Sequence, residues 1–278
     1  MVGRLPFREW QTAYAAFGNG EEPGRLPLLV LHGGPGSAHD VLEGLGELSR
    51  AGRRVVFYDQ LGGGESDRPD DPWLWTVDLF LEQLRSVRDG LGLERVHLLG
   101  SSWGGMLAVE YALTQPAGLA SLVLNSTPTS APRWAEETLR LHGELPAGLD
   151  QKAAEDEFKR RHICRLDPEP EVVKRARAKF GLQVYETMWG PNEFTVTGTL
   201  KEWDVIARLG EIEVPTLITS GEHDECTPAL VEPLHAGIAG SEWVLFEGCS
   251  HTSYLEDPER YLDTVGDFLE RVEAQTNA

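Results

Sequence analysis

Hydrophobic and polar residues change rhythm several times along this chain, and each change marks an element. Around "PFREWQTAYAAFG" the two classes alternate, which predicts exposed antiparallel strands, whereas "LPLLVL" is continuously apolar and predicts a buried one. "RRVVFYDQLGGGESD" predicts a further strand ending in a glycine-rich turn. In "TVDLFLEQLRSVRDGLGL" apolar residues fall at Val77, Phe80, Leu81, Leu84 and Val87, the spacing of one helix face. "RVHLLG" is the next strand, "GGMLAVEYALTQP" a helix stopped near Pro116, and "LASLVLNST" a strand again. Strand and helix alternation after an opening hairpin implies a mostly parallel sheet covered on both faces.

The rhythm breaks from about Ser130 to Lys201. "RWAEETLRLHGEL", "QKAAEDEFKRRHI" and "PEVVKRARAKFGLQVYETMW" are charged helical patterns with no buried strand between them. They predict a helical cap insert over residues 130–201, carried by a core made of 1–129 and 202–278. Strand character returns in "VPTLITSGEHDE" and "EWVLFEGCSHT", and "DPERYLDTVGDFLERVEA" closes the chain as an amphipathic helix. No internal repeat or low-complexity tract interrupts this order.

Composition narrows the class. With 278 residues, 41% of them hydrophobic, the chain can bury a sizeable core as one large domain with an insert. No run approaches the roughly 18 to 20 apolar residues of a membrane helix, and the start "MVGRLPFREWQTAYAAFG" mixes charges through its apolar residues, unlike a secretory signal. A cytoplasmic setting with no membrane partner is expected. Cys164, Cys226 and Cys249 are odd in number and form no C-x-x-C pair, which argues against a disulfide framework and a zinc site. The formal charge of −20 repels nucleic acid and would draw in cationic substrates, although an acidic surface also serves solubility alone.

The chemistry starts at Gly100-Ser101-Ser102-Trp103-Gly104. This fits G-x-S-x-G with Ser102 at its centre; centring on Ser101 puts Leu99 and Trp103 where glycines belong. A nucleophile on a sharp strand-to-helix turn needs tiny residues two before and two after it, and the flanking "VHLLG" and "MLAVEYAL" supply strand and helix. A serine hydroxyl requires an oriented imidazole to remove its proton. Of eight histidines, only His223, His235 and His251 follow the insert, and His251 comes directly after the final strand pattern, where a loop reaches the sheet's carboxyl edge. Asp224 in "LITSGEHDECTP" is the expected carboxylate partner, with Glu222 and Glu225 as rivals. His223 adjoins Asp224, and neighbouring side chains on an extended loop diverge. "HGGPG" after "LPLLVL" is the place for an oxyanion hole, with the backbone N–H groups of Gly34 and Trp103 as donors. No G-K-[ST] follows these glycines, so a phosphate loop is not indicated, and no metal or organic cofactor is expected.

Taken together, "HGGPG", "DQLGGGES", "GSSWGG", "GEHDECTP" and "GCSHTSYLEDPERY" resemble the proline iminopeptidase family of α/β-hydrolases, in particular its shorter members of the tricorn-interacting aminopeptidase and amino-acid amidase type. The resemblance spans nearly the whole chain. It implies the α/β-hydrolase fold with a helical cap, Ser102, Asp224 and His251 as the triad, and release of a single N-terminal residue, often proline. It also points to Glu193 in "WGPNEFTVTG" and to Glu225 as carboxylates for the free amine of a small peptide or amino-acid amide. Two carboxylates converging on one ammonium each gain a Coulomb attraction of about 4 kcal/mol at roughly 4 Å and an effective dielectric near 20, before desolvation. Leu61 departs from the arginine that many members carry after the glutamine, which leaves the first residue of the substrate open. Tyr185, Trp189 and Phe194 either line the pocket or pack the cap. An ester or lactone hydrolase with the same triad, or a ligand receptor on this scaffold, are the competing readings; monomer and small homo-oligomer are both compatible with the chain.

Overall fold

The structure is a computed structural model that describes residues 1–276. Its strands are β1 (Val2–Phe7), β2 (Trp10–Phe17), β3 (Leu28–Leu31), β4 (Val55–Tyr58), β5 (Val96–Ser101), β6 (Leu119–Asn125), β7 (Thr216–Gly221) and β8 (Glu242–Phe246). They form one sheet of order β1-β2-β4-β3-β5-β6-β7-β8. The expected hairpin is β1–β2, and β2 also pairs antiparallel with β4; every later pair is parallel. Within this hairpin β1 is the exposed strand, because β2, with a neighbour on each side, buries Thr12, Ala13 and Ala15.

The apolar runs end up where their periodicity requires. All residues of β3, β4 and β5 are buried, as parallel strands sandwiched between two layers must be. Alternate residues serve opposite layers. Leu98 faces a core built with α1 (Val77–Gly90) and α2 (Trp103–Leu113), while Leu99 faces one built with the 3-10 helix His39–Ala51 and the C-terminal helix. Phe80 and Leu84 of α1 are fully buried, each worth about 1.5–3 kcal/mol of transfer free energy. Thr76 caps α1 by accepting the Leu79 N–H at 3.2 Å, a contact worth about 1 kcal/mol.

Between β6 and β7 lie α3 (Ala131–Gly143), α4 (Gln151–His162), α5 (Glu171–Ala178) and α6 (Leu182–Met188). The charged pattern over 170–189 is thus two helices. Gly181 separates them: its N–H donates to Gly36 O at 2.7 Å, and a side chain there would sit 2.0 Å from Gly62 O. Three more helices complete the chain, α7 (Pro228–Gly237), the short α8 (Ser253–Glu256) and α9 (Pro258–Thr276). Among the described residues no helix is long and apolar enough to cross a membrane. The parallel strands all deliver their C-terminal loops to one edge, where open α/β sheets place ligands.

Candidate active site

Ser102 sits between β5 and α2 with φ 56° and ψ −122°, a conformation side chains rarely adopt. The glycines around it explain how the turn closes. A Cβ on Gly100 would lie 2.2 Å from Gly104 O, and one on Gly104 would lie 2.3 Å from Leu31 O. Ser101 is buried instead, its Oγ accepting from Asn125 Nδ2 at 3.0 Å. The two serines therefore differ in kind: Ser101 is bonded into the sheet, while Ser102 is partly exposed at the strand's end.

Asp224 and His251 meet as expected from the loops after β7 and β8. His251 Nδ1 donates to Asp224 Oδ1 at 2.7 Å, and the same oxygen accepts the Cys226 N–H at 2.8 Å. Burial alone would lower the His251 pKa, but the Asp224 charge and hydrogen bond outweigh it and raise the pKa above the ordinary histidine value. The rivals lie elsewhere. His223 points beside Glu222 at 3.9 Å on a largely open surface, and His235 belongs to α7, bonded to Ser241 Oγ at 2.9 Å. Asn125, at the end of β6, ties the serine and histidine loops together. Its carbonyl accepts the Ser102 N–H at 2.9 Å, while Nδ2 lies 3.5 Å from the His251 carbonyl.

Glu225 is buried 3.9 Å from His251 Nδ1, and its Oε2 has no hydrogen-bond partner among the described residues. Burial, with the Glu193 and Asp224 charges nearby, pushes its pKa well up. Glu193 is half-buried and accepts the Tyr185 hydroxyl at 2.7 Å on Oε1; burial raises its pKa too, against the lowering effect of that hydrogen bond. The backbone carbonyl of Glu193 accepts Trp134 Nε1 at 3.0 Å, and the Trp134 ring stands edge-on to His251 at 6.3 Å between centroids. Tyr185 thus orients a carboxylate. Trp189 packs on Trp134, and Phe194 packs against Phe158 and His142 within the helical segment.

The helical segment is bonded to the loops that carry Asp224 and His251. The His162 carbonyl, at the end of α4, accepts both the Glu225 and the His251 N–H at 3.2 Å, and His162 Nδ1 donates to His223 O at 2.9 Å. The last carbonyls of a helix need such partners. On the other side Arg175 and Lys179 reach Asp40 at 3.1 and 3.2 Å. Asn125 and His162 received no functional role from the sequence, and Tyr185 was expected only to line the pocket or pack the cap, not to bond a carboxylate. Asn125 alone carried a signal, a polar residue directly after the buried apolar run Leu122–Leu124.

The "HGGPG" loop lies against Ser102: a methyl group on Gly33 would stand 3.3 Å from Ser102 Cβ and 3.9 Å from its Oγ. Gly34 has φ 115°, and a Cβ there would strike Gly36 N at 2.7 Å. Trp103, the first residue of α2, has a backbone N–H with no intrahelical acceptor. Neither this N–H nor that of Gly34 has a backbone partner among the described residues.

A mostly parallel sheet, a strained serine turn, and an aspartate and a histidine bonded together from the last two strand loops define a hydrolase of the α/β type. Residues 27–258 match the alpha/beta hydrolase fold family. The chain is 41% identical to the proline iminopeptidase of Lactobacillus acidophilus, over 96% of this chain and 97% of that protein. The crystal structure of the Mycobacterium smegmatis proline iminopeptidase superposes with a TM-score of 0.94 at 38% identity, over 99% of this chain and 100% of that one. The crystal structure of VinJ gives a TM-score of 0.93 at 37% identity, over 98% and 99% of the two chains. The chain belongs to the proline iminopeptidase family of α/β-hydrolases.

Proposed function

We propose that this protein is a serine aminopeptidase that releases one N-terminal residue, proline or another small or hydrophobic amino acid, from short peptides or amino-acid amides. The observation that carries the reading is Glu225: a buried carboxylate with an unpartnered oxygen, beside a histidine–aspartate pair and close enough to the half-buried Glu193 to feel its charge. Such a charge is costly unless a cation joins it, and the ammonium of a free N-terminus is that cation. Glu193, held by Tyr185, supplies the other half of the clamp.

With the amine docked, the first carbonyl of the substrate falls next to Ser102. His251 takes the Ser102 proton as the oxygen attacks, and Asp224 stabilises the imidazolium through the 2.7 Å bond. The negative charge on the carbonyl oxygen rests on the Gly34 and Trp103 N–H groups, each worth about 3 kcal/mol in the transition state. His251 then gives its proton to the leaving amine, and water, activated the same way, hydrolyses the aminoacyl ester. The helices over 130–201 act as a cap whose bonds to the acid and base loops keep the clamp aligned with the triad. Three free cysteines fit a reducing cytoplasm.

The test is release of p-nitroaniline from proline and alanine p-nitroanilides, each with a free and an N-acetylated amine. Free-amine substrates should be turned over and blocked ones refused. Equal turnover of both would end the amine-recognition half of the reading.

A further inference from the structure

Gln60 lies two residues beyond the end of β4 and is fully buried, and its side chain spends both polar atoms on the two segments that carry the oxyanion donors. Its Oε1 accepts Trp103 Nε1 at 2.7 Å, and its Nε2 donates to His32 O at 2.8 Å. Its backbone N–H donates to His32 Nε2 at 2.9 Å. An imidazole nitrogen that accepts carries no proton, so the ring proton of neutral His32 sits on Nδ1. From there it is donated to Gly33 O at 2.8 Å. Burial lowers the His32 pKa, which keeps the ring in this neutral form.

The consequence lies in one peptide plane. The Gly33–Gly34 bond is trans, so its carbonyl and its N–H point in opposite directions. A Gly33 carbonyl held by His32 leaves the Gly34 N–H facing away from His32. With the plane rotated, the carbonyl would replace the N–H, and an oxyanion would meet a lone pair. Glycine on both sides gives this plane little resistance of its own to rotation. We propose that Gln60 and His32 are positioning residues that preset the oxyanion hole: His32, its tautomer set by the Gln60 backbone N–H, locks the Gly33–Gly34 peptide, and the Gln60 side chain ties the His32 carbonyl to the Trp103 indole. The proposal rests on Ser102 as nucleophile and on Gly34 and Trp103 as donors, as assigned above.

The test uses Gln60→Met, which keeps side-chain length and removes the amide, and Trp103→Phe, which removes the indole N–H and keeps the backbone donor. Alanine p-nitroanilide and p-nitrophenyl acetate report turnover, an alanine boronic acid mimics the tetrahedral intermediate, and free alanine reports ground-state binding. In each variant kcat should fall about 10- to 100-fold on both substrates, with KM and the alanine affinity within about two-fold. Affinity for the boronic acid should fall by the same factor as kcat. Unchanged kcat, or KM and alanine affinity deteriorating together with kcat, would overturn the proposal. Thermal melting separates misfolding from repositioning, and a Trp103→Phe variant that melts like the parent with parental kcat overturns the tether even where Gln60→Met fails to fold. Wild-type turnover of the ester without the anilide would remove the aminopeptidase reading and leave the positioning role legible on the ester.

Discussion

The hydroxyl of Tyr185 donates to Glu193 Oε1 at 2.7 Å, so an aromatic residue of α6 sets the direction of a carboxylate that faces the His251 side of the site. Removing only that hydroxyl, in Tyr185→Phe, withdraws a hydrogen bond to a charged acceptor, worth about 1.5–3 kcal/mol. KM for free-amine anilides should rise about ten-fold or more while turnover of a neutral aryl ester holds. The same bond lowers the Glu193 pKa, so its loss moves that pKa further up and shifts the acid limb of amine binding to higher pH. A pH series of KM for both substrates checks both effects.

The charge state of His251 sets a second pH dependence. As the proposed base His251 must be neutral, and Asp224 raises its pKa above the ordinary histidine value despite burial. Activity is therefore lost as pH falls through that raised pKa, and the acid limb of kcat should lie above the position expected for an unperturbed histidine. Stability runs the opposite way. A raised folded-state pKa stabilises fully below the unfolded-state value and is lost as pH rises through the folded one. Asp224→Asn should lower kcat about ten-thousand-fold and move the limb of the residual activity down. A limb that stays in place in the variant would contradict this account.

The neighbouring serines separate by burial. Ser102→Ala should cost about a million-fold in kcat. Ser101→Ala should keep kcat within several-fold but leave the buried Asn125 amide short of an acceptor, lowering stability by about 1–3 kcal/mol. Paired measurements of kcat and melting temperature distinguish the two, and equal losses of kcat would place the nucleophile wrongly.

Much of the scaffold was legible because burial on two faces leaves no choice of residue: "LPLLVL" and "RVHLLG" announce parallel strands, and the glycine spacing around Ser102 announces the turn. The pairing of Asp224 with His251 followed from chain order, since loops after the last two strands share one edge. What could not be read were partners that depend on three-dimensional closure. The break before α6 lies inside what reads as one helical pattern; Gly181, a weak helix former, marks it, and its contacts with Gly36 and Gly62 fix it in place. Asn125, Gln60 and His162 fell inside segments read only as strand, turn or charged helix. Their partners are mostly backbone carbonyls and amides brought near by the fold, which the sequence does not name.

Far from the active edge, Glu273 of α9 organises the opposite end of the sheet. It accepts Arg53 at 2.7 and 3.1 Å, Arg25 at 3.0 Å and the Leu26 N–H at 2.8 Å, with His97 Nε2 at 3.3 Å. Burial works to raise its pKa, but these partners bring it down to about 2, from an ordinary 4.5. A depressed carboxyl stabilises above its unfolded-state pKa and loses that contribution as pH falls through the folded one. Glu273→Gln leaves Arg53, only 1% exposed, without its counter-charge, and should cost about 3–5 kcal/mol at neutral pH. Because protonation strips the parent of the same charge, the gap between parent and variant should narrow steadily from about pH 4.5 towards pH 2. Urea unfolding of both proteins across that range checks it, while kcat at neutral pH, read on folded variant, should match the parent. A gap independent of pH would mean that the carboxylate contributes by packing and not by charge.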